Sequence, residues 1–450
     1  MIDPFSGETV CELPKDTAAD LETKLDAAVA AQRVWAELPV AERAARVGRA
    51  LGWFRDHGEQ VALDITRQMG KPIAQSRNEL GGLFERAEHM LAIAEDALAP
   101  EVLPEKPGFE RRIEHVPLGV VLDIAAWNYP LVITINVLVP ALLAGNAVVV
   151  KHSERTPLCG RHFTQAFASL EPAGLVCDAI LDHPDTARLV GDPRIDHVSF
   201  TGSVEGGRQV QSAARERFID VGLELGGKDA AYLAEDADLE TAVAGVVDGA
   251  CYNAGQSCCG VERIYVPTDR LDEVVERARP LLEAYTLADP KLDDTTMGPL
   301  ANPGALDLLE GQVAAAVQGG AQLLLGGARV ERCFFPPTLV VGAADDSSLM
   351  RDESFGPIVA ITPVTDDADA LRRMNDSDLG LTASVWTADA DRAEWFARRL
   401  DVGTVFQNRC DSLDPALPWT GVKNSGRGST LSTHGFHHLT RRKSLHFKRS

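Results

Sequence analysis

The sequence lacks the features of several large protein classes. It has no excess of positive charge, because 44 Lys and Arg stand against 66 Asp and Glu and give a net charge of −22. Such a chain repels nucleic-acid phosphates and anionic lipid surfaces, so we expect neither nucleic acid nor a membrane as a partner. The longest apolar run, residues 131–144, is too short to span a bilayer and predicts a buried helix.

Cysteine pairs with C-x-x-C spacing are also missing. The eight cysteines are scattered, and in a chain of this size such a distribution favours free thiols in a reducing compartment. Residues 1–5 have neither the basic nor the apolar region of a signal peptide. We therefore predict a cytoplasmic protein, and we expect no metal site.

What the sequence does contain is typical of a large globular enzyme. Its 450 residues are 45% hydrophobic and 24% charged, which is close to globular averages. Helical spacing extends over residues 20–100. Beyond it, strands are predicted at 116–124, 147–151, 179–181 and 197–200, with helices between them. This alternation predicts an α/β fold with a mostly parallel sheet, whose ligands bind at the strand ends near Trp127, Lys151 and Gly202.

One cysteine lies in a segment suited to nucleophilic chemistry. Cys258 stands in GQSCCG, residues 255–260, where backbone amides on a tight turn can lower a thiol pKa and bind an oxyanion. The alternative is that Cys258 is a small buried residue. Its neighbour Cys259 is interpreted as structural.

Other segments are compatible with acid–base and cofactor roles. Glu224 precedes Gly-Gly-Lys and fits either a general base or a salt-bridge partner of Lys228. Lys151 and Glu154 follow a strand and suit ribose hydroxyls, although a solvated turn has the same pattern. The turn at Gly202 and Ser203 opens a helix whose N-terminus favours a pyrophosphate. The usual G-x-G-x-x-G fingerprint is absent.

Taken in order, these segments resemble the NAD(P)-dependent aldehyde dehydrogenase superfamily over essentially the whole chain. The resemblance is carried by seven segments: Trp127 to Pro130, Lys151 to Pro157, Phe200 to Ser203, Glu224 to Lys228, Gly255 to Cys258, Glu353 to Pro357, and Gly421 to Gly426.

The resemblance implies a covalent mechanism. Cys258 is the nucleophile that forms a thiohemiacetal and then a thioester. Glu224 is the general base for the thiol or the hydrolytic water, and Asn128 donates to the oxyanion together with the backbone of Cys258. Because enzymes that transfer the acyl group to coenzyme A generally lack this glutamate, the resemblance favours hydrolysis. A coenzyme A-acylating enzyme and a non-catalytic structural relative are the alternatives.

The resemblance also implies a dinucleotide site. Glu154 disfavours a 2′-phosphate, so NAD is the expected cofactor, while Lys151 leaves NADP use open. The residues expected at the cofactor are Trp127, Lys151, Glu154, Gly202, Ser203, Gly207, Leu225, Glu353 and Phe355.

The substrate is expected to be a small aldehyde without charge. Succinic semialdehyde enzymes of this superfamily carry two arginines where this chain has Tyr252 and Asn136, and neither neutralises a carboxylate. An aliphatic or aromatic aldehyde is therefore expected, in a tunnel formed by Tyr129, Tyr252, Phe406 and Trp419. Asp411 and Asp414 are compatible with an amino-aldehyde, but a solvated loop is the preferred interpretation.

By resemblance the fold has two α/β domains and an oligomerisation element. A Rossmann-like cofactor domain covers residues 1–105 and 118–226, and a catalytic domain covers 227–431. The oligomerisation element combines residues 106–117 and 432–450, where a strand is expected to join a neighbouring subunit. A homodimer or homotetramer is expected.

Overall fold

The first half of the chain is a helical layer followed by a parallel sheet. The computed structural model describes residues 1–331 and 333–449. The elements of this half are α1 (Ala18–Trp35), α2 (Val40–Ala50), α3 (Gly52–Met69), α4 (Ile73–Ala97), β1 (Glu101–Val102), β2 (Phe109–Pro117), β3 (Val120–Ala125), α5 (Pro130–Ala144), β4 (Ala147–His152), α6 (Pro157–Ala166), β5 (Val176–Asp178), α7 (His183–Val190), β6 (His197–Thr201), α8 (Val204–Ala214) and β7 (Asp220–Glu224).

The second half forms another parallel sheet and ends in a long strand. Its elements are β8 (Asp229–Leu233), α9 (Leu239–Cys251), β9 (Val261–Pro267), α10 (Leu271–Glu283), α11 (Ala305–Gln318), β10 (Gln322–Leu325), β11 (Thr338–Val341), α12 (Ser348–Arg351), β12 (Ile358–Val364), α13 (Asp367–Asn375), β13 (Leu379–Gly380), β14 (Thr382–Trp386), α14 (Ala390–Ala397), β15 (Thr404–Gln407), β16 (Val422–Lys423), β17 (Gly426–Arg427), α15 (Ser432–His438) and β18 (Thr440–Lys448). Short 3₁₀ turns lie at Tyr252–Gly255 and Thr268–Arg270.

The two large sheets confirm the predicted α/β class. The first has the order β17-β7-β6-β3-β4-β5 and the second the order β10-β11-β12-β9-β8-β14-β15. Within each sheet, an antiparallel pair occurs only at the edge formed by β17 or β10 in the described residues. Each sheet has its own apolar core, because parallel strands are covered on both faces by helices.

Two strand predictions were wrong in their limits. The strand predicted at 116–124 is divided at Gly119, whose φ of +140° suits glycine, so β2 and β3 enter different sheets. The strand predicted at 179–181 lies earlier, at Val176–Asp178. Its expected residues turn away because Ile180 N donates to the carboxylate of Asp16 at 2.9 Å.

The predicted helices of the first half are confirmed. Four helices cover residues 18–97 with short breaks, and α5 covers the apolar run. All fifteen residues of α5 are buried, since this helix packs against both α4 and the strands β3 and β4. No helix among the described residues is both long and apolar enough to cross a bilayer.

A third sheet joins the C-terminal strand to the segment between α4 and β3. Its order is β1-β2-β18, and β18 pairs antiparallel with β2 from Thr440↔Pro117 to Lys448↔Phe109. The excursion predicted at 106–117 and the C-terminal segment thus meet within one subunit. In this sheet β18 is an edge strand, so its outer edge presents backbone groups that another strand can pair with.

Candidate active site

A strained turn presents Cys258. After α9 the chain makes a 3₁₀ turn in which Asn253 and Ala254 have left-handed φ angles of 54° and 55°. Gly255 follows with φ +71°, and a Cβ there would collide with the backbone of Gly356. The tight turn leaves Cys258 partly exposed at the meeting point of the two large sheets.

The side-chain amide of Asn128 is fixed beside this turn. Its Nδ2 donates to the carbonyl of Gln256 at 3.1 Å. In return, Nδ2 of Asn253 donates to the carbonyl of Asn128 at 3.2 Å. Asn128 is buried. Its amide is therefore a neutral hydrogen-bond donor that is held against Gln256, two residues before Cys258.

Glu224 ends β7 and faces the same space. Thr430 Oγ1 donates to its Oε1 at 2.5 Å, and Thr201 Oγ1 donates to its Oε2 at 3.4 Å. Burial raises the pKa of Glu224 above its ordinary value, because removal from water disfavours the charged carboxylate. The salt bridge considered with Lys228 is wrong, because Lys228 Nζ lies 2.5 Å from Glu262 Oε2.

A large cavity lies at the strand ends of the first sheet, and we call it the outer cavity. It has a volume of about 840 Å³, and five of the predicted cofactor residues line it: Trp127, Lys151, Glu154, Gly202 and Ser203. Ser203 caps α8 by accepting from Gly206 N at 3.1 Å. The remaining amides of this N-terminus make the cavity suited to an anion.

Gly207 lies elsewhere than the prediction implies. It does not line the outer cavity, whose wall is formed by Gly206 instead. A Cβ at Gly207 would lie 2.8 Å from Cδ2 of Leu225. Gly207 therefore allows α8 to pack closely on the chain after β7.

A second space, the inner cavity, connects the outer cavity to the thiol. Its volume is about 330 Å³, and its lining includes Leu225, Glu353, Phe355 and Cys258. Glu353 accepts from Gly227 N at 3.2 Å, and burial raises its pKa to about 8. The ring of Phe355 meets that of Trp127 edge-on at 5.6 Å.

A buried ion pair holds this wall in place, and the sequence analysis missed it. Glu262 accepts from the backbone amides of Ser354 and Phe355 at 2.8 and 2.9 Å, while Lys228 Nζ donates to Ser354 Oγ at 3.0 Å. The pair thus fixes the loop that carries Glu353. In the sequence, the only indication of this ion pair is that Lys228 lies within an otherwise apolar and glycine-rich segment.

On the other side of the thiol lies a space that we call the polar chamber. It has a volume of about 650 Å³, and Tyr129, Tyr252 and Trp419 line it as predicted. Phe406 does not line it, so that expectation was wrong. Phe406 lies within β15, beside Ser384 of β14 in the sheet. The chamber wall is instead completed by residues of the loop after β15.

The chamber also contains a cation that sequence reasoning missed. Arg86 of α4 lines it, and its Nη1 donates to Oδ1 of Asn136 at 3.2 Å and to the carbonyl of Val132 at 3.5 Å. Burial lowers the pKa of Arg86. A guanidinium thus reaches the place where Asn136 alone was expected. Although neither Tyr252 nor Asn136 is basic, the chamber thus contains a guanidinium supplied by another helix.

The loop after β15 is less exposed than expected. Asp411 lines the chamber and accepts from Ser257 Oγ and Cys259 Sγ, both at 2.9 Å. Burial raises the pKa of Asp411 to about 6. Of the two acids, only Asp414 is exposed, as Asn408 and Arg409 of the same loop are.

The chain is similar to known proteins over almost its whole length. The model of the aldehyde dehydrogenase family matches residues 1–445. A protein of Deinococcus radiodurans named succinate-semialdehyde dehydrogenase, with NADP(+) in its name, is 34% identical over 98% of this chain and 93% of its own length. For a Streptomyces coelicolor protein named 3,6-anhydro-alpha-L-galactose dehydrogenase, the identity is 33%, with 100% of this chain and 92% of that protein covered.

The fold is equally similar to solved structures. The crystal structure of lactaldehyde dehydrogenase from Escherichia coli superposes with a TM-score of 0.96, at 31% identity, over 99% of this chain and 95% of that one. Relatives of this kind are NAD(P)-dependent enzymes that oxidise aldehydes to acids. The chain belongs to the aldehyde dehydrogenase family.

Proposed function

We propose that the chain oxidises an aldehyde on Cys258 and releases the acid by hydrolysis, with Glu224 as general base. The observation that carries this is that Cys258 and Glu224 line both the inner cavity and the polar chamber. The substrate carbonyl in the chamber and a nicotinamide in the inner cavity then meet at one thiol. The geometry supports the oxyanion donor in Asn128, whose amide is fixed beside the turn of Cys258.

The outer cavity and the inner cavity together fit a dinucleotide. The absence of a side chain at Gly226 lets the carboxylate of Glu353 lie directly against the backbone there. Lys151 and Glu154 would hold the adenosine ribose, the N-terminus of α8 the pyrophosphate, and Glu353 the nicotinamide ribose. When bound, the nicotinamide accepts the hydride.

Each step needs a specific group of this chain. The Cys258 thiolate adds to the aldehyde carbon, and Asn128 donates to the oxygen as negative charge develops there. After hydride loss the carbonyl is a thioester on Cys258. Glu224 then takes a proton from a water, whose oxygen attacks the thioester and releases the acid and the thiolate.

A product analysis tests the hydrolytic mode. The purified protein with NAD(P) should form NADH or NADPH and free acid in equal amounts without coenzyme A. If turnover required coenzyme A and gave a thioester product, the hydrolytic role of Glu224 would be rejected.

We infer that NAD is preferred, although both cofactors are accommodated. Glu154 lines the outer cavity and repels a 2′-phosphate at close range. Lys151 and Arg155 line the same cavity and attract one. Burial lowers the pKa of Lys151, and the nearby Glu154 opposes this shift.

The substrate we propose carries an oxygen that accepts a hydrogen bond, either a carboxylate or a hydroxyl. Arg86 bonds two neutral acceptors, so its charge is not neutralised by them. Asn78, Thr241 and Asn408 add further polar groups to the chamber. The relatives named for succinate semialdehyde and for 3,6-anhydro-alpha-L-galactose support this class.

Paired substrates test the role of Arg86. Succinic semialdehyde and butanal differ by one carboxylate, and glyceraldehyde and propanal differ by two hydroxyls. Arg86→Met should lower kcat/KM for the carboxylated aldehyde about 100-fold, as expected for a lost charge-assisted hydrogen bond of about 3 kcal/mol, and leave butanal unchanged.

Two further variants show whether the charge or the shape of Arg86 matters. The paired substrates show whether the residue recognises a carboxylate or a hydroxyl. Arg86→Lys should retain part of the selectivity, while Arg409→Met, at the exposed side of the same chamber, should change it less than about threefold. A loss confined to glyceraldehyde would assign the hydroxyl class. Equal losses on butanal and succinic semialdehyde would contradict any role for Arg86 in recognising oxygen.

We also propose a cytoplasmic homodimer or homotetramer that forms through the open edge of β18. The free cysteines are compatible with a reducing compartment, and the third sheet ends in this strand. Light scattering of the purified protein gives the mass directly. A monomer at micromolar concentration would contradict the proposal.

A further inference from the structure

The face of the sheet that carries Glu224 also carries a row of polar groups, most of which the mechanism does not use. Alternation along β7 places Asp220, Gly222 and Glu224 on one face of the sheet. On β6 the residues paired with them are His197, Ser199 and Thr201. A polar track therefore leads from the catalytic carboxylate toward the exposed start of β7.

The imidazole of His438 lies over the middle of this track. A Cβ at Gly222 would be 2.9 Å from Nε2 of His438, and a Cβ at Gly428 would be 2.6 Å from the same atom. The ring thus occupies space that two glycines leave free. Its Nε2 is buried and has no hydrogen-bond partner in the structure, which is a costly state for a polar atom.

A small cavity separates this nitrogen from Glu224. Its volume is about 10 Å³, and its lining includes Ser199, Glu224, Thr430 and His438. That volume is about what a single water requires, provided that the water finds two to four polar partners. Seven side chains of the lining carry polar groups, Arg427 among them, so we call this space the water cavity.

We propose that His438 carries protons between Glu224 and solvent through one water in the water cavity. This rests on the proposed role of Glu224 as general base. After hydrolysis Glu224 holds a proton that must leave before the next turnover. The Glu224 carboxyl gives this proton to the water, the water gives one of its own to Nε2 of His438, and the imidazolium releases a proton to solvent. Glu224 is again a carboxylate, and one proton leaves per aldehyde oxidised.

The surroundings of His438 favour the neutral imidazole, so the ring releases a proton readily after it has accepted one. Burial and the nearby Arg427 lower the pKa of the imidazole, while Asp220 opposes them. His197 contacts the ring edge-on at 4.9 Å, and burial lowers its pKa to about 3, so it remains neutral. His438 is only partly buried, which gives the imidazolium an exit to solvent.

Asp123 is a further titratable group beside this track. It lies opposite Ser199 in the sheet, and burial raises its pKa well above the ordinary value. Both of its carboxyl oxygens are buried without a hydrogen-bond partner in the structure. Because Asp123 is almost fully buried, it does not reach solvent, so His438 remains the imidazole that exchanges protons there.

The test is the variant His438→Ala, with kinetics that separate the two half-reactions. The pre-steady-state burst of NADH precedes hydrolysis and should remain at one per active site. The steady-state kcat should fall about tenfold at pH 7. Added imidazole should restore kcat, and a series of substituted imidazoles should restore it in an order that follows their pKa values.

Three outcomes would overturn the relay. An unchanged kcat would mean that protons leave by another path, a lost burst would mean that His438 is structural, and rescue that ignores the pKa of the added base would mean that space alone matters. His437→Ala is the matched control, because His437 instead lies near Ala97. Its kcat should equal that of the wild type.

Failure of the proposed function would give a different result. Glu224→Gln should abolish hydrolysis whether or not His438 carries the proton. If Glu224→Gln is inactive and His438→Ala is normal, only the relay is rejected. If Glu224→Gln hydrolyses at the normal rate, the role of Glu224 fails first.

Discussion

The outer cavity and the polar chamber lead to the same thiol but are built from different parts of the chain. The outer cavity is lined by turns that follow β3, β4 and β6, neighbouring strands of one sheet. The polar chamber is lined by side chains from α4, α5, α9 and the loop after β15. A ligand of the first meets turns whose positions the sheet fixes, together with the side chains of Lys151 and Glu154, whereas a ligand of the second meets side chains from elements that are far apart in the sequence. Substrate choice should therefore respond to substitutions in more parts of the chain than cofactor choice does.

The largest expected effect is a loss of turnover that leaves cofactor binding in the outer cavity unchanged. Cys258→Ala should lower kcat more than about 1000-fold, because no other group forms the covalent intermediate. The outer cavity does not include Cys258, so the Kd for NAD, measured by calorimetry, should stay within twofold. Turnover within tenfold of the wild type would reject Cys258 as the nucleophile.

The next effect concerns Glu224, which belongs to both the inner cavity and the polar chamber. Glu224→Gln should lower kcat about 100- to 10,000-fold, the range for a lost general base. The base acts as a carboxylate and burial raises its pKa, so wild-type kcat should fall as the pH decreases through that raised pKa. The acid limb should be missing in the variant; an identical limb in both proteins would assign it to another group.

A smaller effect is expected in the outer cavity. Glu154→Gln removes a carboxylate and retains the shape of the side chain, so the ratio of kcat/KM for NADP to that for NAD should rise about tenfold. Turnover of butanal at saturating cofactor should not change. An unchanged ratio would remove Glu154 from cofactor discrimination.

The smallest effect concerns the charge at the far wall of the polar chamber. Because the pKa of Asp411 is about 6, this residue becomes neutral below that pH and no longer repels an anionic substrate. The KM for succinic semialdehyde should fall about threefold from pH 7.5 to 5.5. In Asp411→Asn the KM should be low and independent of pH; a parallel change in both proteins would exclude Asp411.

The sequence predicted the outer cavity better than the polar chamber for a physical reason. Lys151, Gly202 and Ser203 stand immediately after strands, so local patterns place them at one sheet edge. Arg86 belongs to a helix distant in sequence from Cys258, and only tertiary packing brings its guanidinium to Asn136. Phe406 shows the reverse error, because an aromatic residue near the entrance loop packs within the sheet instead.

The ion pair of Lys228 and Glu262 has a consequence for how this enzyme can evolve. Both side chains are almost fully buried, and removal of one partner would leave an uncompensated charge costing about 3–5 kcal/mol. That is a large share of the roughly 5–15 kcal/mol that keeps a protein folded. A single substitution at either position should therefore lower the melting temperature strongly, whatever it does to the chemistry. Substitutions around Arg86 carry no such cost, so a change of substrate is easier to obtain there than in the loop of Glu353.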